Sequence, residues 1–316
     1  LDFAGASTWA RLGHVVTVWS KFKDEIDTIL RSGELRAKLP GVIIPDTVKL
    51  TTDISCAKDK DIVLVGIPVK FVREVCNQAK PYVSKESIMV STSKGLEDGS
   101  MKRMSEILKE VFPDNTVAVL TGPSHAEELG RGIPTAVVVA SESIEAAKLI
   151  QKTFSDNVLR LYVNSDVIGC EIGGAIKNVI ALCCGVIEGL GLGDNTRAAL
   201  MTRGLSEITR LGTAMGGKAD TFSGLAGVGD LIVTCTSMHS RNFRAGILIG
   251  QGVSPQEAVF RVGTVEGYAC AAAALKLSKK YDVNMPITEE INRILFEGKP
   301  PKSAIGDLMG RPHGFE

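Results

Sequence analysis

IMVSTSKGLEDGSMKRMSEILKEVFPDNTVAVL, residues 88–120, decides the fold. It holds two short, almost continuous apolar runs, 88–91 and 117–120, separated by a helical stretch at 101–111. Runs of this kind suit strands buried on both faces, and strand, helix, strand in this order is the unit of a parallel sheet. Working outward, the rhythm repeats: further buried runs stand at 15–18, 62–65 and 136–139, with helical stretches at 23–31, 71–80 and 144–154. Residues 1–164 are therefore expected to form an α/β, Rossmann-like dinucleotide-binding domain with a mostly parallel sheet, its ligands at the carboxyl ends of the strands. Beyond residue 164 the β rhythm stops. Helical stretches at 166–188, 195–214, 241–251, 254–262, 266–281 and 287–296 predict an all-α domain over 165–316, with 224–229 a flexible glycine loop and 298–302 an ordinary loop.

Charge and cysteine usage narrow the function classes. Lysine plus arginine and aspartate plus glutamate number 36 each, so no global field draws the chain to nucleic acid or an anionic membrane. The seven cysteines are odd in number and lack a CxxC pair, which predicts reduced thiols, no metal site and a cytoplasmic location. The longest apolar run, 179–186, is too short to span a bilayer, and the opening residues do not read as a signal peptide; no membrane insertion is expected.

In the first half, the glycine fingerprint of a dinucleotide fold is not readable. Residues 1–13 offer Gly5 and Gly13 and too little chain for a first strand, loop and helix, so the first unit is expected to be incomplete. At the tip of the next strand stand Ser20 and Lys21, where a basic side chain can meet a 2′-phosphate; Lys21 therefore permits NADP as well as NAD. Lys94 follows the strand 88–91 and so belongs at the carboxyl edge of the sheet. Ser124 and Glu127 have capping-box spacing after the strand 117–120, which predicts a helix start there, His125 included.

In the second half, Lys177 lies in a stretch that is otherwise nearly all apolar, with Gly173 and Gly174 four and three residues before it. A slot over those glycines would receive the ammonium, and desolvation would lower its pKa enough for a proton acceptor. Asp230 closes the 224–229 glycine run and could orient a lysine or a substrate hydroxyl. Ser240 is a natural helix cap, and Arg241 and Arg244 share a face beside it, a pattern that suits a phosphate.

Taken in order, the segments 93–97, 122–128, 173–178, 191–196, 224–231, 234–242 and 265–267 resemble the NAD(P)-dependent glycerol-3-phosphate dehydrogenases of the bacterial type, over nearly the whole chain after about residue 13. The resemblance implies hydride transfer between NAD or NADP and the sn-glycerol 3-phosphate/dihydroxyacetone phosphate pair, in support of phospholipid synthesis. It implies that Lys177 is the proton acceptor and that Lys94 contacts substrate and cofactor. Gly122, Ser124, Asp230, Ser240, Arg241 and Asn242 would bind substrate. Ala126, Thr264 and Glu266 would bind cofactor, with Arg241 reaching it too, and Ser7 and Trp9 would be what is left of a glycine-rich Ser-Trp turn. The implied partner is a phosphorylated small molecule, and the implied assembly a homodimer. Two alternatives stay open. A β-hydroxyacid dehydrogenase would carry an asparagine four residues after the lysine, where this chain has Ala181 and instead places Asn178 beside Lys177. A catalytically silent nucleotide-binding relative is the other.

Overall fold

A computed structural model describes residues 2–312. These form two compact units, one of residues up to 93 with 104–167, the other of 94–103 with 168 onward.

The first unit is built from α1 (Asp2–Arg11), β1 (Thr17–Trp19), α2 (Lys23–Ser32), β2 (Lys49–Thr51), β3 (Ile62–Val65), α3 (Val69–Ala79), β4 (Ile88–Ser91), α4 (Met104–Val111), β5 (Val117–Thr121), α5 (Ala126–Gly130), β6 (Thr135–Ser141), α6 (Ile144–Phe154) and β7 (Leu159–Asn164). β1 and β2 pair in parallel, and β3 to β7 form a second sheet in sequence order, parallel throughout except where β6 runs against β5. Ile62 stands opposite Ile88, and Met89 opposite Val117, so β3, β4 and β5 end along one edge. Alternation sends Met89 and Val117 to a core shared with Val72, Cys76, Ile107 and Leu108 of α3 and α4. Ile88, Val90, Ala118 and Leu120 face the opposite core, with Ala4, Trp9, Ala147 and Ile150 of α1 and α6. Burial on both faces is why these strands read as continuous apolar runs.

The opening residues need correction. They form a helix that buries Ala4, Ala6, Ser7, Thr8 and Trp9, not the remnant of a loop. The Ser7 hydroxyl donates to the Ile43 carbonyl at 3.0 Å, and Trp9 stacks on Phe154 with ring centroids 4.2 Å apart. A side chain on Gly5 would strike the Trp9 ring at 2.8 Å. Ser7 and Trp9 are held by packing, so the cofactor contacts expected of their side chains do not fit. β2 and β7 were not anticipated: the first is three residues long, and the second alternates buried and exposed side chains only at its start.

The second unit is helical: α7 (Val167–Gly189), α8 (Asp194–Ala214), α9 (Ala219–Phe222), a π-helical turn (Leu225–Gly229), α10 (Asp230–Thr236), α11 (Arg241–Gly250), α12 (Pro255–Val262), α13 (Glu266–Lys280), α14 (Pro286–Phe296) and α15 (Pro301–Met309). α7 is apolar all round and is the axis of the core, with Ile172, Ile176, Val179, Ile180 and Leu182 fully buried. It is long and apolar enough to cross a membrane, yet most of it is enclosed by the other helices of its unit. Residues 224–229, expected as a loop, wind into the π-helical turn that delivers Asp230, and the proline at 301 starts α15 where a loop was expected. The segment 94–103 belongs with these helices because Leu96 is buried among their side chains.

α7 and α11 meet along glycines. Side chains on Gly185 or Gly189 would overlap the backbone of α11 at Gly246 and Gly250, and the reverse holds for Gly246 and Gly250 against α7. Backbone-to-backbone approach fixes the crossing, so a methyl at any of the four has no space to occupy. This seam sets where the start of α11 lies relative to the middle of α7.

Candidate active site

Three charged side chains converge inside the second unit. Lys177, nearly three turns into α7, is 5 % exposed, and Asp230, the first residue of α10, is 1 % exposed. The Lys177 ammonium donates to one oxygen of Asp230 and, at 2.9 Å, to Thr234 Oγ1. The other Asp230 oxygen accepts from Lys94 Nζ at 2.8 Å. Thr234 in turn donates to the Asp230 carbonyl one helical turn back, at 2.6 Å, so its lone pairs face the lysine. Two ammoniums on one carboxylate leave a net positive charge in a dry place, which suits an anionic substrate.

Burial moves both titrations. It pulls the Lys177 ammonium down to about 7; Asp230 opposes that shift and the like charge of Lys94 adds to it. For Asp230 burial alone acts upward, but the charges of Lys177 and Lys94 outweigh it and hold the carboxyl below its ordinary range. The ordinary lysine value is 10.5. A lysine near 7 can exchange a proton in either direction at neutral pH.

The glycine slot expected beside Lys177 is occupied at Gly173. A side chain there would meet the Ala226 carbonyl at 2.5 Å, so the glycine admits the π-helical turn instead of the ammonium. The consequence is the same burial by another route: the turn brings Asp230 onto α7, and Asp230 holds Lys177.

A second, neutral network lies beside the charges. Asn178 is held by Asn242, whose Nδ2 donates to Asn178 Oδ1 at 3.0 Å, and Asn242 Oδ1 accepts from the Gly267 backbone at 2.8 Å. The starts of α11 and α13 are thereby tied to α7. Ser240 caps α11, its Oγ accepting from the Phe243 backbone at 3.2 Å, while Arg241 at the first position is exposed. Glu266 is the first residue of α13, half-buried, with Thr264 two residues before it. The amides of a first helical turn have no intrahelical partner, so the α11 start combines amide donors with a guanidinium.

The remaining anticipated residues belong to the first unit. Lys21 is exposed just past β1. Gly122 follows β5 with φ +126°, where a side chain would press the Val137 backbone at 3.1 Å. Ser124 is not a cap: its hydroxyl donates to the Gly122 carbonyl at 3.0 Å, and α5, a helix of five residues beginning at Ala126, starts from His125 without a side-chain cap. The capping-box reading is corrected accordingly. At the carboxyl ends of β4 and β5 the hydroxyls of Ser91, Thr92 and Thr121 are buried without a partner. Unsatisfied buried hydroxyls are costly, and a row of them at this edge fits a polar ligand such as a dinucleotide. Thr234, in contact with Lys177, was missed; its place one turn after Asp230 on the same helix was the available signal.

The comparisons with known proteins agree along the chain. Residues 3–147 match the family description NAD-dependent glycerol-3-phosphate dehydrogenase N-terminus, and residues 166–306 match NAD-dependent glycerol-3-phosphate dehydrogenase C-terminus. A glycerol-3-phosphate dehydrogenase (NAD(P)+) of Thermoanaerobacter sp. is 50 % identical, with 100 % of this chain and 98 % of that one aligned. One of Bacillus subtilis is 47 % identical over 99 % and 95 % of the two chains. The crystal structure of glycerol-3-phosphate dehydrogenase from Coxiella burnetii superposes with a TM-score of 0.93 at 36 % identity, covering 98 % of this chain and 95 % of that one.

Proposed function

Since the chain belongs to the NAD-dependent glycerol-3-phosphate dehydrogenase family, we propose that Lys177 is the group that gives and takes the proton in its reaction. The enzyme interconverts sn-glycerol 3-phosphate and dihydroxyacetone phosphate, with NAD(P) as the hydride carrier, and the family's usual role is in phospholipid metabolism. The nicotinamide, when bound, supplies or accepts the hydride at the carbinol carbon.

The observation that carries the assignment is the buried Lys177–Asp230–Lys94 cluster. In oxidation, neutral Lys177 takes the hydroxyl proton as the carbon–hydrogen bond breaks. In reduction, its ammonium returns a proton to the oxygen that becomes the alcohol. Asp230 aims Lys177 and keeps Lys94 close, so that a second positive charge stabilises the alkoxide-like oxygen of the transition state. The role of Asp230 is orientation, because its own carboxyl stays ionised. Ser240, Arg241 and Asn242 hold the phosphate: Arg241 contributes the charge, and the other two fix the helix start on which it stands. The same reading gives Gly122 and Ser124 a part in binding substrate, and Lys21, Ala126, Thr264, Glu266, Arg241 and Lys94 a part in binding cofactor. Lys21 leaves NADP admissible.

Location in the cytoplasm belongs to the same reading, supported by seven cysteines that form no disulfide. So does a homodimer, which light scattering tests directly. The mechanistic test is the pH dependence of both directions. Ketone reduction needs the ammonium and should lose rate as pH rises through about 7, the value to which Lys177 is drawn; alcohol oxidation needs the amine and should gain rate through the same region. Parallel profiles in the two directions would remove Lys177 from the proton path.

A further inference from the structure

Lys94 is the one charged member of the cluster that does not sit on a helix. It opens the segment 94–103, which folds back on itself: Leu96 pairs with Arg103 in an antiparallel bridge, the Glu97 amide donates to the Lys102 carbonyl at 2.9 Å, and the Met101 amide donates to the Glu97 carbonyl at 2.9 Å. The result is a small hairpin with Lys94 just before one arm and Arg103 at the end of the other. Arg103 Nη1 donates to Glu171 Oε2 at 2.6 Å, and the two side chains are only 12 % and 8 % exposed. Glu171 stands on α7 six residues before Lys177. At the other end of the hairpin Asn178, also on α7, donates to the Lys94 carbonyl at 3.5 Å. The hairpin is thus pinned to α7 at two points seven residues apart, a span of about 10 Å along the helix axis.

An ion pair this deeply buried is a poor source of net stability, because desolvating both charges offsets most of their attraction. Its geometry is what distinguishes it from an apolar pair of the same volume: it sets one register of the hairpin against α7. We propose that Arg103 and Glu171 form a positioning pair for Lys94, clamping the hairpin to α7 so that the Lys94 ammonium is delivered to Asp230. The proposal rests on the reading of Lys94 and Asp230 as parts of the active site and adds what holds Lys94 there. Arg103 bonds Glu171, and the pair acts on the cluster through the hairpin that carries Lys94.

Two consequences separate this role from plain structural support. A displaced Lys94 weakens substrate binding, and it withdraws a like charge from Lys177, whose other facing groups are Asp230, Thr234 and Cys235 of α10. Arg103→Gln should therefore raise the KM for dihydroxyacetone phosphate roughly tenfold and move the pH limb of reduction upward, as expected when a charge is misplaced by about an ångström. Arg103→Lys, which can still meet Glu171, should recover most of both. The decisive measurement is a double-mutant cycle with Lys94→Ala: once Lys94 is gone, Arg103→Gln should change KM and the pH limb no further. If Arg103→Gln does not accumulate as folded protein, Glu171→Gln, which keeps the volume and an acceptor oxygen, is expected to move KM and pH limb in the same direction by less. A drop in Tm with KM and pH limb unmoved overturns the clamp, as does full additivity with Lys94→Ala. An unaffected Lys94→Ala enzyme overturns the reading of Lys94 itself and the clamp with it, so the two failures are told apart.

Discussion

Two buried ionisable groups in the helical unit are drawn to the same value by the same force and are put to different ends. Lys177, at the junction of α7 with α10, is pulled down to about 7, and Glu207, at the junction of α8 with α14, is pushed up to about 7; burial is the largest cause in both. Their partners differ. Lys177 faces a carboxylate, a hydroxyl and a second ammonium. Glu207, 1 % exposed, accepts from three donors at the start of α14, the Ile287 amide at 2.6 Å, the Thr288 amide at 3.1 Å and the Thr288 hydroxyl at 2.9 Å, and feels the charge of Arg210 on its own helix. Glu207 is a helix cap supplied from about eighty residues away in sequence, and every lone pair it uses is committed. A perturbed pKa therefore marks burial, and what sets Lys177 apart is a carboxylate shared directly with a second ammonium.

The sharpest way to break that distinction is to remove each group in turn. Lys177→Ala should lower kcat by on the order of a hundredfold or more while leaving NAD(P)H affinity, followed by fluorescence titration, nearly unchanged. Glu207→Gln should leave kcat within about twofold, since it touches no reacting atom. Comparable losses of kcat in the two variants would show that the α8–α14 junction is part of the catalytic machinery and the contrast false.

Arg241 tests the same idea for a charge left in water. It stands exposed at the start of α11, so its contribution should fall on binding and not on proton transfer. A charge-assisted phosphate contact is worth roughly 1.5 to 3 kcal/mol, and Arg241→Ala should raise the KM for dihydroxyacetone phosphate by about tenfold to a hundredfold. Residual activity on unphosphorylated dihydroxyacetone should barely move. Equal losses on both ketones would take the phosphate away from Arg241; a separate cofactor titration keeps a nucleotide defect from being read as a substrate one.

Folding stability supplies a third comparison, because the two shifts have opposite signs. Glu207 has an ordinary value of 4.5, raised to about 7 in the fold, so between those limits the folded chain keeps a proton that the unfolded chain has lost. Its contribution to stability is thus present at low pH and declines as pH rises through that window, by at most about 1.4 kcal/mol per pH unit. Lys177 is lowered from 10.5 to about 7, so across that higher window the unfolded chain holds the extra proton and stability rises with pH. Urea unfolding of Glu207→Gln at several pH values should lose the declining limb and keep the rising one. A declining limb that survives the substitution would assign it to some other group.

Which of these groups could be read from sequence follows from how local their signals are. Lys177 was legible because it is the one basic residue of an otherwise largely apolar helix, and Ser240 because a cap acts on a residue three positions away. β3, β4, β5 and β6 were legible because burial on both faces leaves continuous apolar runs. Glu207 left no trace, since the amides it caps lie eighty positions on, and Arg103 and Glu171 were invisible for the same reason. The π-helical turn was misread as a loop because glycines that allow close backbone approach look the same as glycines that allow flexibility. Gly227 is one of these, with no space for a side chain beside the Phe222 backbone. At the opening, Ser7 and Trp9 suggested a turn by residue type alone, where the contacts that settle their place come from Ile43 and Phe154.

The smallest expected effect belongs to an exposed charge. Lys21 follows β1 in open solvent, between Ser20, whose hydroxyl bonds Glu25 at 2.9 Å, and Phe22, which precedes α2. Its backbone is thereby set by neighbours while its ammonium stays hydrated. If the tip of β1 receives the adenosine ribose, Lys21 discriminates only through a screened contact to a 2′-phosphate, and such contacts contribute about 1 kcal/mol or less. Lys21→Asp should then weaken the use of NADPH by severalfold and leave NADH little changed or improved, and the difference should shrink as salt is raised through the range where the Debye length falls below about 8 Å. The measurement is kcat/KM for each reduced cofactor at two ionic strengths. Equal effects on both cofactors, or a preference indifferent to salt, would show that Lys21 is surface charge only and that cofactor choice is made elsewhere in the fold.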